Sequence, residues 1–269
     1  NCKSILDGIE VENLPIGLFG DFYSHELTFF LIRNNDLKNI QKVFNRNNLN
    51  INKIILKSYN EGVQLINQDK NIENFFTIKI SKDITNINFF KNDSFRYSEH
   101  FNFGTNIILR DIEKICSLDK KMIRKFLSNS FLDKDNFNKH EFLEENYFTK
   151  GNFRKIKKKL IIDIANARIS EITNIIFNKN INIKSFKEKK INIYLTIKDK
   201  EIFENFKNNF KSNLLNNNNF EVFLLKEFGI DASVVNVANL STYGWKKEAI
   251  PTTKIKRSLI TRIFKSLFG

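Results

Sequence analysis

Two periods of apolar residues run through this chain. Leu27-Thr28-Phe29-Phe30-Leu31-Ile32 is an apolar run with no breaker and predicts a buried strand. Asp36 then caps a stretch with Leu37, Ile40, Val43 and Phe44 at helical spacing. Ile51 to Leu56 predicts a second strand, and Tyr59 to Ile66 a short helix. This β–α–β–α order argues for an α/β or α+β domain. Phe75 to Ile80, Ile84 to Phe90 and Phe95 to Phe103 then predict a meander, with turns at Ser81-Lys82-Asp83 and Lys91-Asn92-Asp93-Ser94. Asn106 to Ile115 predicts a helix.

From Asp119 to Ile183 the pattern is mixed and more polar, and its best helix is Leu160 to Ile176. Ile191 to Ile197 predicts a strand, Glu201 to Phe210 a helix, Asn216 to Asn219 a loop, and Phe220 to Leu225 a last strand. No repeat of 20–50 residues is present.

Composition narrows the classes. The chain is 41% hydrophobic and 13% aromatic, enough for a sizeable core and against disorder as the main state. Only Cys2 and Cys116 are present, which rules out a disulfide scaffold. No apolar run approaches the roughly 20 residues that cross a bilayer. The first residues form no secretory signal, and they lack an initiator Met. The expectation is a chain that begins inside a longer protein. Lys plus Arg number 44 against 30 acids, a net charge of +14. Heavy use of Asn, Lys, Ile and Phe with few Gly and Pro resembles drift in an A/T-rich genome. Part of the charge is then bulk bias, a solvated Lys-rich face, and the competing reading is a polyanion partner.

The sharpest physical pattern is at the end. Pro251 closes what precedes it, and Pro251-Thr252-Thr253 reads as a linker. Ile255, Leu259, Ile260, Ile263, Phe264, Leu267 and Phe268 then fall on one face of a helix, while Lys254, Lys256, Arg257, Arg262 and Lys265 occupy the rest. No acid follows Glu248. Such a segment suits the plane of an anionic bilayer, where each basic residue contributes on the order of 1 kcal/mol. A last helix docked on the domain and a helix seated in a partner's groove are the other readings.

Several motifs together resemble the FtsA family of bacterial cell-division proteins, actin-like membrane tethers of the division ring. Pro15-Ile16-Gly17-Leu18-Phe19-Gly20 resembles the family's Asn-Pro-x-Gly-Leu-x-Gly, with Leu14 in place of Asn. Gly104, Asn106, Asp111 and Ile112 match its strand-to-helix entry, where Asn102 and Thr105 depart. Arg168, Glu171 and Ile172 match a later helix, and Leu240, Tyr243 and Gly244 its last one. The resemblance covers nearly the whole chain, over the C-terminal two-thirds of the family pattern. It implies an α/β, actin-like fold of the actin/Hsp70 ATPase type, with a partial first lobe and a complete second lobe. The implied division is 1–70 for the first lobe, a 1C-like insertion plus the last helix of a 1A-like subdomain. Residues 71–250 form the second, 2A-like lobe, with a 2B-like insertion at about 117–180. Residues 251–269 are the linker and amphipathic helix.

The resemblance also implies function: tethering FtsZ filaments to the cytoplasmic face of the bacterial inner membrane at the division septum, with self-association into filaments. The family's cofactor is ATP with magnesium. Its Asp-Ile-Gly-Gly-Gly-Thr hairpin corresponds here to Lys79-Ile80-Ser81-Lys82-Asp83-Ile84, and its Thr-Gly-Gly turn to Thr196-Ile197-Lys198. The glycines are gone, and a Cβ there blocks close backbone approach to phosphate. The expectation is that nucleotide binding is lost or weakened, with Lys79, Lys82 and Lys198 able to attract phosphate by charge alone. The family's 2B insertion receives the acidic C-terminal peptide of FtsZ, which makes Arg154, Lys155, Lys158 and Arg168 the candidate contacts. A solvated basic face is the competing account of Arg154 to Lys159.

Other chemistry has little support. His25, His100 and His140 have no partners at metal-ligand spacing, and both cysteines read as incidental thiols. Glu141, Glu144 and Glu145 read as an exposed helical face. No catalytic triad, P-loop or zinc motif is present. An active actin-like ATPase of pilus assembly (PilM-like) and a basic nucleic-acid-binding protein remain as alternatives. The second lacks aromatic residues interleaved with its basic cluster, so the expectation is no nucleic-acid partner.

Overall fold

Strands form where alternate residues can be buried on both sides of a sheet, and helices where one stripe can cover it. In the computed structural model of the chain, the described residues are 2–11, 15–69, 71–129, 141–148, 153–184, 191–215 and 220–245. They belong to two compact units, Asn1–Phe29 with Gly244–Gly269, and Phe30–Tyr243.

The smaller unit holds an antiparallel sheet of β1 (Cys2–Leu6), β2 (Ile9–Val11) and β3 (Tyr23–Leu27), in the order β2-β1-β3. Asp7 and Gly8, with φ of 51° and 82°, make the two-residue turn between β1 and β2, as right-twisted hairpins require. The Asp7 carboxylate accepts the backbone N–H groups of Asp21 (3.0 Å) and Phe22 (2.7 Å), which pins the long β2–β3 connection to this turn.

The larger unit opens with α1 (Asn34–Asn45) and α2 (Lys57–Gln68). Its sheet contains β4 (Asn74–Ile80), β5 (Thr85–Lys91), β6 (Ser94–Phe101), then β7 (Ile191–Ile197) and β8 (Phe220–Leu224), in the order β6-β5-β4-β7-β8. β5 runs antiparallel to both neighbours, and β7 and β8 run parallel to β4. Asn92 and Asp93, both at positive φ, close the β5–β6 turn. Between β6 and β7 come α3 (Asn106–Cys116), α4 (Lys120–Asn129), α5 (Lys158–Thr173) and the short α6 (Ile181–Lys184). α7 (Lys200–Leu215) joins β7 to β8, and α8 (Ile230–Tyr243) follows.

One face of this sheet carries Phe76, Ile78, Ile80, Ile193, Leu195 and Val222, all buried beneath α3, α4, α5 and α7. Each such side chain contributes about 1.5–3 kcal/mol on leaving water, so this face is the main source of stability. The other face is aromatic and polar. Phe75 stacks on Phe90 at 4.8 Å, Phe95 meets Phe90 edge-on at 5.1 Å, and Tyr59 of α2 lies over Phe95. Asn88 donates to Thr77 Oγ1 and accepts from Ser98, so these three polar residues satisfy one another. α8 packs on α2 through two buried amides: Asn236 Nδ2 donates to Asn60 Oδ1 at 2.7 Å, and Asn60 Nδ2 donates to Ser233 O.

The fold is α/β, a mixed sheet covered by helices, the class the resemblance implies. Its first elements differ from expectation. Ladder pairing ends at Leu27, and residues 28–33 run on without a strand, as do residues 51–56. An apolar run becomes a strand only beside a partner edge. Leu31 is exposed here, and Phe30 instead turns its ring onto Tyr59 and Phe95, at 5.7 and 5.1 Å. The helix expected after Asp36 starts earlier, at Asn34, and Asp36 lies in its first turn, paired with Arg33 at 2.8 Å. The Asn216–Asn219 loop lies outside the described residues.

Gly62 sets the closeness of α2 to the sheet. A Cβ there would stand 1.9 Å from Phe90 Cζ. Glycine-to-alanine in a helix gains up to about 1 kcal/mol from propensity, while overpacking costs about 1–3 kcal/mol. Gly62→Ala is therefore expected to lower stability by up to about 2 kcal/mol in urea unfolding; an increase would show that α2 can move off the sheet freely.

Candidate functional site at the carboxyl edge of the sheet

Parallel strands β4, β6 and β7 end on the same edge, and in open α/β sheets this edge, beside the point where strand order reverses, is where ligands bind. The residues that follow these strands are Ser81 to Ile84, Asn102 to Thr105, and Lys198 with Asp199. The structure thus gathers the two loops picked out from sequence. Lys79 is the register partner of Thr196, and the Lys198 N–H donates to Ile80 O at 2.8 Å. Thr196 and Ile197 are buried.

The hairpin backbone is engaged within the protein. Ser81 N–H donates to Ile84 O, closing the turn. Ser81 O and Lys82 O accept the N–H groups of Thr105 (3.0 Å) and Asn106 (2.8 Å), at the start of α3. Asp83 Oδ1 accepts from Asn106 Nδ2 at 2.9 Å. Gly104 makes this approach possible, since a Cβ there would lie 2.1 Å from Ser81 O.

Beneath lies a network that sequence reading missed. Asp199, with a side chain only 2% exposed, accepts from Thr105 Oγ1 at 2.9 Å and pairs with Arg124 of α4 at 3.3 Å. Arg124 Nη2 also donates to Asn106 Oδ1 at 2.9 Å. The only sequence signal was an acid directly after the Thr196-Ile197-Lys198 turn, and nothing in spacing could tie it to Arg124, 75 residues earlier.

The two lysines of interest are held by carboxylates. Lys79 Nζ donates to Glu61 Oε1 of α2 at 2.7 Å and lies 3.2 Å from Glu227 Oε1. Lys198 Nζ reaches the same Glu227 oxygen at 3.0 Å. Partial burial pushes the Glu227 carboxyl up, but hydrogen bonds and charge from Lys198 and Lys79 outweigh it and hold the group below its ordinary value of 4.5. Lys82 is exposed.

The basic residues of the insertion separate. Arg154 and Lys155 are exposed just ahead of buried Ile156. Lys158 pairs with Glu141 at 3.5 Å. Arg168 lies ten residues along α5 from Lys158, about 15 Å away, and is held by Asp111 of α3 and by Glu171 at 2.5 Å. It fastens α5 to α3 and is not gathered with Arg154 and Lys155. The membrane-facing set predicted from sequence, Lys254 to Phe268, lies outside the described residues, as does His140. Among the described residues, no group of three or more His, Cys, Asp or Glu is placed to hold a metal ion. Burial raises the pKa of the Cys116 thiol and leaves it an inert core group.

No protein-family model matches the chain, and no curated protein matches it. Solved structures do. MreB5 of Spiroplasma citri bound to ADP is similar at 10% identity over 78% of this chain and 65% of that one, with a TM-score of 0.48. The PilM–PilN type IV pilus biogenesis complex is similar at 10% identity over 93% and 67%, with a TM-score of 0.46. The ethanolamine utilization protein EutJ from Carboxydothermus hydrogenoformans is similar at 11% identity over 79% and 62%, with a TM-score of 0.44. The chain therefore spans 62–67% of the length of these three proteins. Likeness of this depth concerns the path of the chain and nothing finer.

Two tests follow from the edge. Arg124→Met leaves the Asp199 carboxylate buried without its cation and is expected to cost about 3 kcal/mol in urea unfolding. Adding Asp199→Asn should recover most of that loss, and no recovery would show that Arg124 acts by packing alone. Glu227 is 44% exposed, so solvent screening holds the worth of its pairs to under about 1 kcal/mol. Because its carboxyl is held low, that contribution is present above pH 4.5 and lost as the pH falls below it. The stability gap between wild type and Glu227→Gln should be largest near neutrality and close on acidification.

Proposed function

We propose that the protein is a membrane tether of the FtsA type, holding FtsZ filaments to the cytoplasmic face of the bacterial inner membrane during septum formation. One observation carries this reading: the segment 254–268, in which seven apolar residues share a helical face and every charged residue is basic. The motif order supports it, and a first lobe at 1–70 and a second at 71–250 belong to the same reading. The acidic C-terminal peptide of FtsZ would meet Arg154 and Lys155, whose side chains are exposed, with Lys158 beside them. Self-association into filaments belongs to the same reading.

Nucleotide binding is lost or weakened in this reading, and the edge geometry supports that. A magnesium nucleotide held as in the family needs free backbone N–H groups near phosphate and carboxylates free for the metal shell. Here Ser81 N–H is spent within its turn, the carbonyls of Ser81 and Lys82 are bound to α3, and Lys79 stands where the family has its Asp. The nearby carboxylates Glu61 and Glu227 face lysines. These residues do not fit the group.

Co-sedimentation with anionic vesicles tests the tether. The complete chain should pellet, and a chain ending at Thr253 should lose at least tenfold in affinity, given about 1 kcal/mol for each of five basic residues plus apolar burial. Equal pelleting of both rules the tether out. Titration with ATP and magnesium should show no saturable binding; saturation would favour the pilus-assembly ATPase reading instead.

A further inference from the structure

The smaller unit displays an unusual surface. In the β2–β3 connection, Ile16 is 87% exposed, Leu18 62%, Phe19 100% and Phe22 66%. Solitary exposed apolar residues are ordinary, but four within seven positions form a patch of the kind that marks an interaction site. The connection is also held in shape. Asp7 grips its far end through two backbone N–H groups, Leu18 N–H donates to Pro15 O, and Gly17 supplies a φ of 83°. Gly20 sits against Leu6 and Asp7, where a Cβ would come within 2.8 Å of both side chains. An apolar ridge held this way binds without first losing much freedom.

The segment that carries these residues is charged oppositely to the rest of the chain. Residues 1–29 contain Asp7, Glu10, Glu12, Asp21 and Glu26 against Lys3 alone, a net charge of −4, whereas the whole chain carries +14. The remaining residues therefore carry +18. An acidic surface with an apolar ridge fits a basic segment with an apolar stripe. Two basic segments stand out in the sequence. Arg154 to Lys159 contains five cations but only Ile156 as an apolar residue, and that side chain is buried. Residues 254–268 combine five cations with seven apolar residues on one helical face. Gly244 and Trp245 belong to the same compact unit as residues 1–29, and the eight residues 246–253 that lead from them to the segment can span up to about 28 Å.

We propose that, without lipid, residues 254–268 dock on the acidic ridge formed by Ile16, Leu18, Phe19 and Phe22. This rests on the reading of that segment as the lipid-binding element, and it makes residues 1–29 the competitor of the membrane. The ridge covers the apolar stripe and its acids neutralise the cations; an anionic bilayer offers the same two features over a larger area and displaces it. Docking and lipid binding are then linked reciprocally: whatever the ridge contributes to holding the segment is subtracted from vesicle affinity.

Amide hydrogen exchange on the complete chain without lipid, compared with a chain ending at Thr253, tests this directly. Amides of residues 15–22 should exchange at least about fivefold more slowly in the complete chain, the lower end of ordinary site coupling. The slowing should be independent of protein concentration. Phe19→Ser combined with Asp21→Lys, both at exposed positions, should abolish the slowing and raise affinity for anionic vesicles by the same factor. Equal exchange in the two chains overturns the proposal. So does a slowing that grows with concentration, which would assign the ridge to a second copy. The exchange comparison uses no lipid: slowing without vesicle binding removes the tether reading and leaves the docking standing.

Discussion

A single close backbone approach orders the edge on which this protein's chemistry would sit. Gly104 lets the chain after β6 come against the carbonyl oxygens of Ser81 and Lys82, which accept the first N–H groups of the α3 end. Those N–H groups have no partner within a helix and must be satisfied elsewhere. By taking them, the β4–β5 turn fixes where α3 begins, and hence which of its residues reach the sheet. Ile108, Leu109 and Ile112 then lie in the core, and Asn106 and Thr105 are aimed at Asp83 and Asp199. A side chain at position 104 would force the turn and helix apart and disturb the core and the polar network together.

The same contact explains why the edge is a protein-filled place rather than an open cradle. A phosphate-binding turn works when its N–H groups point outward and its neighbours lack Cβ atoms. In this chain the turn residues carry side chains, and the turn's carbonyls face the helix. The positive charge that remains, on Lys79 and Lys198, is matched by Glu61 and Glu227. Ion pairs at a partly exposed edge contribute little to stability, but an unpaired pair of lysines beside the buried Thr196 would repel each other. Glu227 removes that repulsion by sharing one oxygen between them.

What could be read from sequence followed from whether a segment's partners were near in the chain. The strands Phe75–Ile80, Ile84–Phe90 and Phe95–Phe103 were legible because each pairs with a neighbour in the chain across a turn of Asp, Asn, Lys and Ser residues. Ile191–Ile197 was legible because Ile191, Ile193, Leu195 and Ile197 alternate with Asn192, Tyr194 and Thr196, the period of a strand. Thr28–Ile32 and Ile51–Leu56 are apolar too, yet they enter no ladder, because an apolar run states only that a segment seeks cover. β1 and β2 went unread: three to five residues with polar alternation are too short for a period to stand out. At the site, the positions of Lys79, Ser81 and Lys198 were legible, but their partners were not. Glu61 and Glu227, far apart in the chain, decide whether Lys79 and Lys198 are available to a ligand, and Arg124, equally remote, holds Asp199.

The distribution of charge along the chain is harder to attribute to drift than its total. Codon bias toward Lys and Asn raises the charge everywhere, so it predicts a uniform excess. Residues 1–29 have one cation and five acids within a chain of +14. Of these acids, Glu10 and Glu26 lie on strands beside Lys3 and pair with it. Fields of this kind act over about 8–10 Å at physiological salt, so they matter only for a partner brought close by other means. The exposed ridge of Ile16, Leu18, Phe19 and Phe22 supplies such means. The acids choose the sign of what may approach, and the apolar side chains reward it for staying.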